Sequence, residues 1–153
     1  MGVGVALVTP FNFNGSIDYN SLDKIIDSTI RGGIDYLVML GTTSESPTLS
    51  EDEKEKIITH VVEKNNGRVP LVIGLGGNNT NNLIDRIKKI NDTHFSAILS
   101  VSPYYNRPTQ LGLFKHYEKI ASNTNLPIIL YNVPQRTGSN IEIDTVVDLN
   151  KNF

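Results

Sequence analysis

The sequence contains no cysteine, and this absence removes several kinds of site from consideration. Without cysteine, these 153 residues form neither disulfide bonds nor thiolate metal sites, and they offer no cysteine nucleophile. The lack of disulfides fits a reducing compartment. The apolar start of the chain also lacks the basic segment that opens a signal peptide. We therefore expect a cytoplasmic protein.

Long apolar runs and a strong net charge are missing as well. No apolar run approaches the ~20 residues that a membrane-spanning helix needs. The net charge is -2, with 39% hydrophobic and 20% charged residues, which is the ordinary balance of a soluble globular protein. This composition gives no reason to expect nucleic acid or a membrane as a partner.

What the sequence does contain is a repeated alternation of apolar runs and stretches with helical periodicity. The runs cover residues 3–8, 34–40, 69–73, 97–101 and 127–131. Ser50 and Glu53 form a capping box that predicts a helix start, and the charge run at 51–56 is expected on an exposed helical face. Because the runs are apolar throughout, they indicate strands of a parallel sheet covered by helices. We predict five βα units in one domain.

Two architectures fit five βα units. They can form a complete doubly wound sheet of the flavodoxin type. They can also be the first five units of a (β/α)8 barrel, whose ~250 residues give ~31 residues per unit, close to the spacing of the runs. Periodicity does not separate these two possibilities, so the motifs between the runs must decide.

Polar residues that follow the apolar runs are the candidates for a site, because parallel α/β folds bind ligands at the C-terminal ends of their strands. Residues 41–46, with the sequence GTTSES, follow the second run. Their hydroxyls and backbone N–H groups suit a small carboxylate. A hydroxyl-rich turn without a ligand has the same composition, and composition alone leaves both interpretations open.

Two tyrosines stand at the ends of later runs, Tyr105 after the fourth and Tyr131 as the last residue of the fifth. A phenol titrates near 10, so it transfers protons efficiently at neutral pH only when neighbouring hydroxyls relay them. Thr42 offers such a hydroxyl, and Arg136 offers a planar fork that matches a carboxylate. One tyrosine alone would more often be a core or interface residue. Three strand ends together favour a site.

At this point the motifs become recognisable. They are GVGVALVTPF at residues 2–11, GTTSES at 41–46, VPLVIGLGGNNT at 69–80, SPYYNRP at 102–108 and LYNVPQRTG at 130–138. With them the chain resembles the 4-hydroxy-tetrahydrodipicolinate synthases, a branch of the pyruvate-dependent class I aldolase family that includes N-acetylneuraminate lyase. The resemblance implies an α/β fold, a (β/α)8 TIM barrel with only its first five βα units in residues 1–153. It also implies tetramers built from tight dimers.

The resemblance implies a chemistry without cofactor or metal. Pyruvate forms a Schiff base with a lysine, becomes an enamine and adds to L-aspartate 4-semialdehyde. Tyr131 matches the family's proton donor and acceptor, Thr42 the relay threonine, and Tyr105 the tyrosine that completes the relay across the tight-dimer interface. Thr43 matches the residue that holds the pyruvate carboxylate. Arg136 matches the group that receives the carboxylate of the semialdehyde.

Two departures from the family pattern bear on the site. Ser44 stands where the family normally has glycine. If the backbone at this position needs a positive φ, serine would strain the loop. The Schiff-base lysine is expected at the end of a sixth strand, just beyond Phe153. None of the nine lysines is predicted at the C-terminal end of a strand, where a desolvated amine would be held; they are Lys24, Lys54, Lys56, Lys64, Lys88, Lys89, Lys115, Lys119 and Lys151. We therefore expect the 153 residues alone to be inactive.

Three alternatives stay open at this stage. An N-acetylneuraminate lyase or a keto-sugar-acid aldolase would use the same scaffold, although Arg136 favours the semialdehyde. A flavodoxin-like module without catalysis would be a stable monomer that binds a phosphorylated ligand near residues 74–79. An inactive truncated relic is the third.

An open barrel leaves strand edges unpaired, so we expect the 153 residues alone to be poorly soluble or partly folded.

Overall fold

The computed structural model describes residues 2–90 and 92–153, in which five strands alternate with helices. The strands are β1 (Gly4–Ala6), β2 (Tyr36–Met39), β3 (Leu71–Gly74), β4 (Ala97–Val101) and β5 (Ile128–Tyr131). The helices are α1 (Tyr19–Arg31), α2 (Glu51–Asn65), α3 (Thr80–Ile87), α4 (Gln110–Ala121), α5 (Pro134–Thr137) and α6 (Ile143–Asn152). None of the helices in these two ranges is long and apolar enough to cross a membrane.

The chain divides into two compact units, the first of which holds β1, β2 and β3. β1 pairs with β2 and β2 with β3, both in parallel. On α1, Leu22 and Ile26 are buried, and on α2 Ile57 and Val61 are buried, as expected for apolar residues at helical spacing. Helix α2 begins with the predicted capping box, in which Glu53 N–H donates to Ser50 Oγ and Ser50 N–H donates to the Glu53 carboxylate.

The second unit holds β4 and β5 with the helices that follow α2. β4 pairs with β5 in parallel, from Ile98 opposite Ile128 to Val101 opposite Tyr131. Helix α4 packs against both α3 and α6. It buries Leu113 and Ile120 completely, so this unit has an apolar core of its own.

The strand pairing distinguishes the two predicted architectures. In a flavodoxin-type sheet the strand order is 2-1-3-4-5, so the second and third strands are not neighbours. Here β2 and β3 are hydrogen-bonded neighbours, from Leu37 opposite Leu71 to Met39 opposite Ile73. Strands that pair in chain order are the pattern of a (β/α)8 barrel. The predicted α/β class with parallel strands and alternating helices is confirmed, whereas the prediction of a single domain stays a prediction.

The charge run at residues 51–56 differs from the prediction of a fully exposed face. Lys54 is only 9% exposed, and its Nζ lies 2.6 Å from Glu51 Oε1. The reason is helical spacing, because Lys54 precedes the buried Ile57 by three residues and Val61 by seven, which puts it on the same face of α2. Its methylene stem is covered while the ammonium reaches the carboxylate.

Candidate functional site

The GTTSES segment forms a tight turn directly after β2. Leu40 has a left-handed φ of 54°, and residues Thr42–Ser44 then form a short 3-10 helix. The side chains of Thr42 and Thr43 are exposed, whereas Ser44 is buried. The turn therefore presents two neighbouring hydroxyl side chains to solvent at the C-terminal end of a strand, as the sequence predicts for a carboxylate site.

Ser44 fixes this turn to the segment that follows β1 in the same unit. Its hydroxyl donates to the carbonyl oxygen of Leu7 at 2.6 Å, and the hydroxyl of Thr9 donates to the carbonyl oxygen of Ser44 at 2.8 Å. The left-handed residue of the turn is Glu45, with φ 54°, while Ser44 does not have a positive φ. The strain considered for a serine in place of the family's glycine is therefore absent, and serine adds a hydrogen bond instead.

Tyr131 lies where the sequence predicts it, as the last residue of β5 in the second unit. Its backbone pairs with Val101, and its carbonyl oxygen accepts a hydrogen bond of 3.3 Å from the N–H of Ser102. The side chain is half-buried. Pairing with β4 therefore fixes the backbone of Tyr131. This suits a side chain that must hold a defined position.

Tyr105 lies on the loop that follows β4, and it is 90% exposed. Its φ is 72°, and the N–H of Asn106 donates to the carbonyl oxygen of Tyr104 at 2.9 Å. A hydrogen bond from residue i+2 to residue i closes a γ-turn, and with a positive φ at its centre this turn is rare and strained. Non-glycine residues held in such conformations cluster at functional sites.

Arg136 lies on the single-turn helix α5, directly after β5, and its side chain is exposed. The helix ends at Gly138, whose φ of 71° is the left-handed conformation that glycine adopts without strain. The loops of Tyr105 and Arg136 are joined within the unit, because Arg107 Nε donates to the carbonyl oxygen of Gly138 at 2.9 Å. The structure thus links two of the predicted site loops by a direct hydrogen bond.

The lysines lie away from the strand ends. Seven of the nine lie within helices α1, α2, α4 and α6, Lys88 caps α3, and Lys89 lies in the next turn. Lys151, predicted to follow the last helical stretch, lies within α6. No lysine of this chain is therefore at the C-terminal end of a strand. Among residues 2–90 and 92–153, no three His, Asp or Glu side chains form a group that could hold a metal ion.

Two structural features of the site loops do not follow from the sequence. Pro103 and Pro108 flank the loop after β4, but its unusual backbone is at Tyr105 and Arg107, both with positive φ. Motif spacing does not report a positive φ at non-glycine residues. The bond from Ser44 to Leu7 joins residues 37 positions apart, and no local pattern announces such a pair.

The chain is similar in sequence and in structure to known proteins. Over residues 1–153 the sequence matches the Dihydrodipicolinate synthetase family. The 4-hydroxy-tetrahydrodipicolinate synthase of Flavobacterium psychrophilum is 53% identical over 153 residues, which are 100% of this chain and 52% of that relative. A crystal structure of a dihydrodipicolinate synthase has a TM-score of 0.93 at 45% identity, covering 99% of this chain and 52% of that chain.

A further solved relative carries one of the expected substrates. The chloride-inhibited dihydrodipicolinate synthase from Acinetobacter baumannii, complexed with pyruvate, has a TM-score of 0.92 at 43% identity. The match covers 97% of this chain and 51% of that chain. The present chain thus spans about half the length of the relatives that it matches.

Proposed function

Because this chain belongs to the Dihydrodipicolinate synthetase family, we propose that it is the part of a 4-hydroxy-tetrahydrodipicolinate synthase that orients substrates and moves protons. The reaction is a lyase-type condensation of pyruvate with L-aspartate 4-semialdehyde, in lysine and diaminopimelate biosynthesis. The observation that carries the proposal is that Thr42, Tyr131 and Arg136 each lie at or directly after the C-terminal end of a strand. In parallel α/β folds this is the end that binds ligands.

In the proposed chemistry, the amine of a lysine attacks the carbonyl carbon of pyruvate and water leaves, giving a Schiff base. Loss of a methyl proton gives an enamine, whose carbon bonds to the aldehyde carbon of the semialdehyde as that oxygen takes up a proton. Thr43 holds the pyruvate carboxylate from its exposed turn. The pyruvate complex of the Acinetobacter baumannii relative supports pyruvate as the first substrate.

Tyr131 carries the proton to and from the reacting atoms, with the hydroxyls of Thr42 and Tyr105 as its relay. A phenol needs such partners, because its ordinary pKa near 10 makes it a poor proton donor and acceptor alone at neutral pH. Two properties of Tyr131 support this role, namely its half-buried side chain and its place in the last pair of β5 with β4. In the proposed tetramer of tight dimers, Tyr105 serves the site across the dimer interface.

Arg136 receives the carboxylate of the semialdehyde. Its exposed guanidinium offers two parallel donors that match a carboxylate, and the short helix α5 fixes its backbone. This residue also favours the semialdehyde over the sugar aldehyde of the N-acetylneuraminate lyases as the second substrate. A cytoplasmic location belongs to the same proposal.

The nucleophile is proposed to come from residues beyond Phe153. All nine lysines of this chain lie in helices or in the turn that follows α3, where none is held at a strand end. The relatives are about twice as long as this chain, which leaves length for three further βα units and a strand-end lysine. These 153 residues therefore supply groups that orient substrates and move protons, and without the nucleophile they are expected to be inactive alone.

A turnover assay of the complete polypeptide that contains these residues tests the proposal. We expect consumption of L-aspartate 4-semialdehyde that depends on pyruvate, and a much lower rate with the sugar aldehyde used by N-acetylneuraminate lyases. The 153-residue chain, assayed at the same concentration, serves as the inactive control. Faster turnover of the sugar aldehyde would assign the chain to the lyase branch. No turnover of either aldehyde would refute the proposed activity.

A further inference from the structure

The loop that carries Tyr105 has an unusual backbone that needs support. Tyr105 has φ 72° and Arg107 has φ 47°, so two bulky residues within three positions are left-handed. Residues other than glycine rarely adopt such backbone conformations. The hydrogen bond from Asn106 N–H to Tyr104 C=O closes a γ-turn that is itself strained, so this bond alone does not hold the loop. Such a conformation persists only when surrounding contacts determine it.

Arg107 provides the first of these contacts. Its Nε donates a hydrogen bond of 2.9 Å to the carbonyl oxygen of Gly138, the residue that ends α5. The side chain also lies directly over this glycine, because a Cβ added at Gly138 would be 3.4 Å from Nε and 3.5 Å from Cδ of Arg107. Since Gly138 follows the helix that carries Arg136, this contact ties the turn of Tyr105 to the loop of Arg136.

Two further side chains hold the same loops together. Asn106 Nδ2 donates to the carbonyl oxygen of Asn78, in the loop after β3, at 3.1 Å. Gln110 Nε2 donates to the carbonyl oxygen of Asn140 at 2.8 Å, while its Oε1 accepts from the N–H of Glu142 at 3.1 Å. The turn of Tyr105 therefore has anchors on both sides, one on the loop after β3 and the other on the loop after β5.

We propose that Arg107 is a positioning residue, which holds the γ-turn of Tyr105 and the helix of Arg136 in one fixed arrangement. It acts through Tyr105 and Arg136 and does not itself touch a substrate. The proposal rests on the proposed function, because the role of Tyr105 in the proton relay comes from there. In the sequence Arg107 is only one residue of the SPYYNRP motif, and its contacts with Gly138 are what indicate a positioning role.

The kinetic test uses the complete polypeptide that contains these residues. In the Arg107→Met variant we expect kcat to fall about tenfold, because small displacements of a catalytic group cost up to about a hundredfold in rate. The KM for pyruvate should stay within about twofold of its original value, since Thr43 lies on a different loop. Arg107→Lys keeps a donor and a positive charge and should recover part of the lost kcat. Arg31→Met, which changes an exposed arginine of α1, is the matched control and should leave kcat unchanged.

A double-mutant cycle asks whether Arg107 acts through Tyr105. Once Tyr105→Phe has removed the phenol, the further change Arg107→Met should lower kcat by less than about twofold, because the effect on kcat that passes through Tyr105 is already lost. The effect that passes through Arg136 should appear in the KM for the semialdehyde. Independent, multiplying losses in the double variant would overturn the proposal. If Tyr105→Phe alone leaves kcat unchanged, the relay role in the proposed function is wrong, and the exchange measurement that follows decides about Arg107.

Amide hydrogen exchange followed by mass spectrometry gives a readout that is independent of turnover. In Arg107→Met, peptides that cover residues 103–108 and 134–140 should exchange at least about fivefold faster, while peptides from α1 and α2 keep their rates. Arg31→Met should leave the first two regions unchanged. Unchanged exchange in both regions of Arg107→Met would overturn the proposal, whatever the activity. Faster exchange throughout the chain would indicate a general loss of stability and would also contradict a local positioning role.

Discussion

The hydroxyl of Ser44 donates a 2.6 Å hydrogen bond to the carbonyl oxygen of Leu7, and both residues are buried. This bond joins the turn after β2, which carries Thr42 and Thr43, to the segment that follows β1. A glycine at this position would have no side chain with which to make the bond. Ser44 thus provides a specific contact between the segments that follow two paired strands.

We predict that Ser44→Ala lowers the free energy of unfolding by about 1–2 kcal/mol, because the buried carbonyl oxygen of Leu7 loses its hydroxyl donor. Ser28→Ala is the matched control. Its exposed hydroxyl bonds only to the carbonyl of Ile25 in its own helix, so we expect a change within about 0.5 kcal/mol. Urea unfolding of the complete polypeptide measures both. Equal effects of the two changes would contradict the role of Ser44.

Much of the fold could be predicted from the sequence, because strands and helices leave local patterns. The apolar run at 97–101 coincides with β4, and the capping box at Ser50 marks the start of α2. The other runs are longer than their strands, as for β1, where the structure keeps only Gly4–Ala6 of residues 3–8. At β1 and β2 the apolar run continues past the last strand residue, whereas β3 ends at Gly74, one residue after its run. Hydrophobicity alone therefore does not locate a strand end.

The candidate site could be predicted only in part. Thr42 and Tyr131 could be identified because the apolar runs indicate where the strands end and parallel folds bind ligands at those ends. The family motifs pointed to the same two residues. The contact between Arg107 and Gly138 could not be predicted, since it depends on a side chain reaching a backbone carbonyl 31 residues away. The prediction that Lys54 is exposed was wrong. It followed from the charge of the side chain, whereas helical spacing puts Lys54 on the buried face of α2.

A second prediction concerns the buried histidine of α4. His116 is only 4% exposed, and its Nδ1 lies 2.8 Å from Thr80 Oγ1. Burial lowers the pKa of His116 from its ordinary value of 6.5 to about 4, because the imidazolium would lose its hydration. The folded state thus binds this proton more weakly than the unfolded state. The resulting contribution to stability is complete above pH 6.5 and is lost as the pH falls towards about 4.

The titration of His116 in the folded protein checks this prediction. We expect the NMR signal of its ring carbon Cε1 to titrate with a midpoint near pH 4, and we would assign this signal by its loss in His116→Gln. The same variant should show a weaker decline in the free energy of unfolding between pH 6.5 and 4. A midpoint near 6.5 in the folded protein would show that the side chain is not desolvated and would contradict the structure.

A third prediction tests the role proposed for Tyr131. In the complete polypeptide, Tyr131→Phe should lower kcat by about 10²–10³-fold, because proton transfer by a positioned group contributes on this scale. The KM for pyruvate should change little, since Phe keeps the ring. Tyr19→Phe is the matched control. Tyr19 begins α1 and packs against His60 of α2 at a ring distance of 4.7 Å. It has no proposed part in the reaction, so Tyr19→Phe should leave kcat unchanged.

The most direct test of the central claim is to trap pyruvate on the complete polypeptide with sodium borohydride and to locate the modified lysine by peptide mass spectrometry. Reduction turns a Schiff base into a stable amine, so the modified residue is the nucleophile. We predict one modified lysine, located after residue 153, and no modification at the nine lysines of this chain. Modification at one of those nine, or no pyruvate-dependent modification at all, would contradict the account.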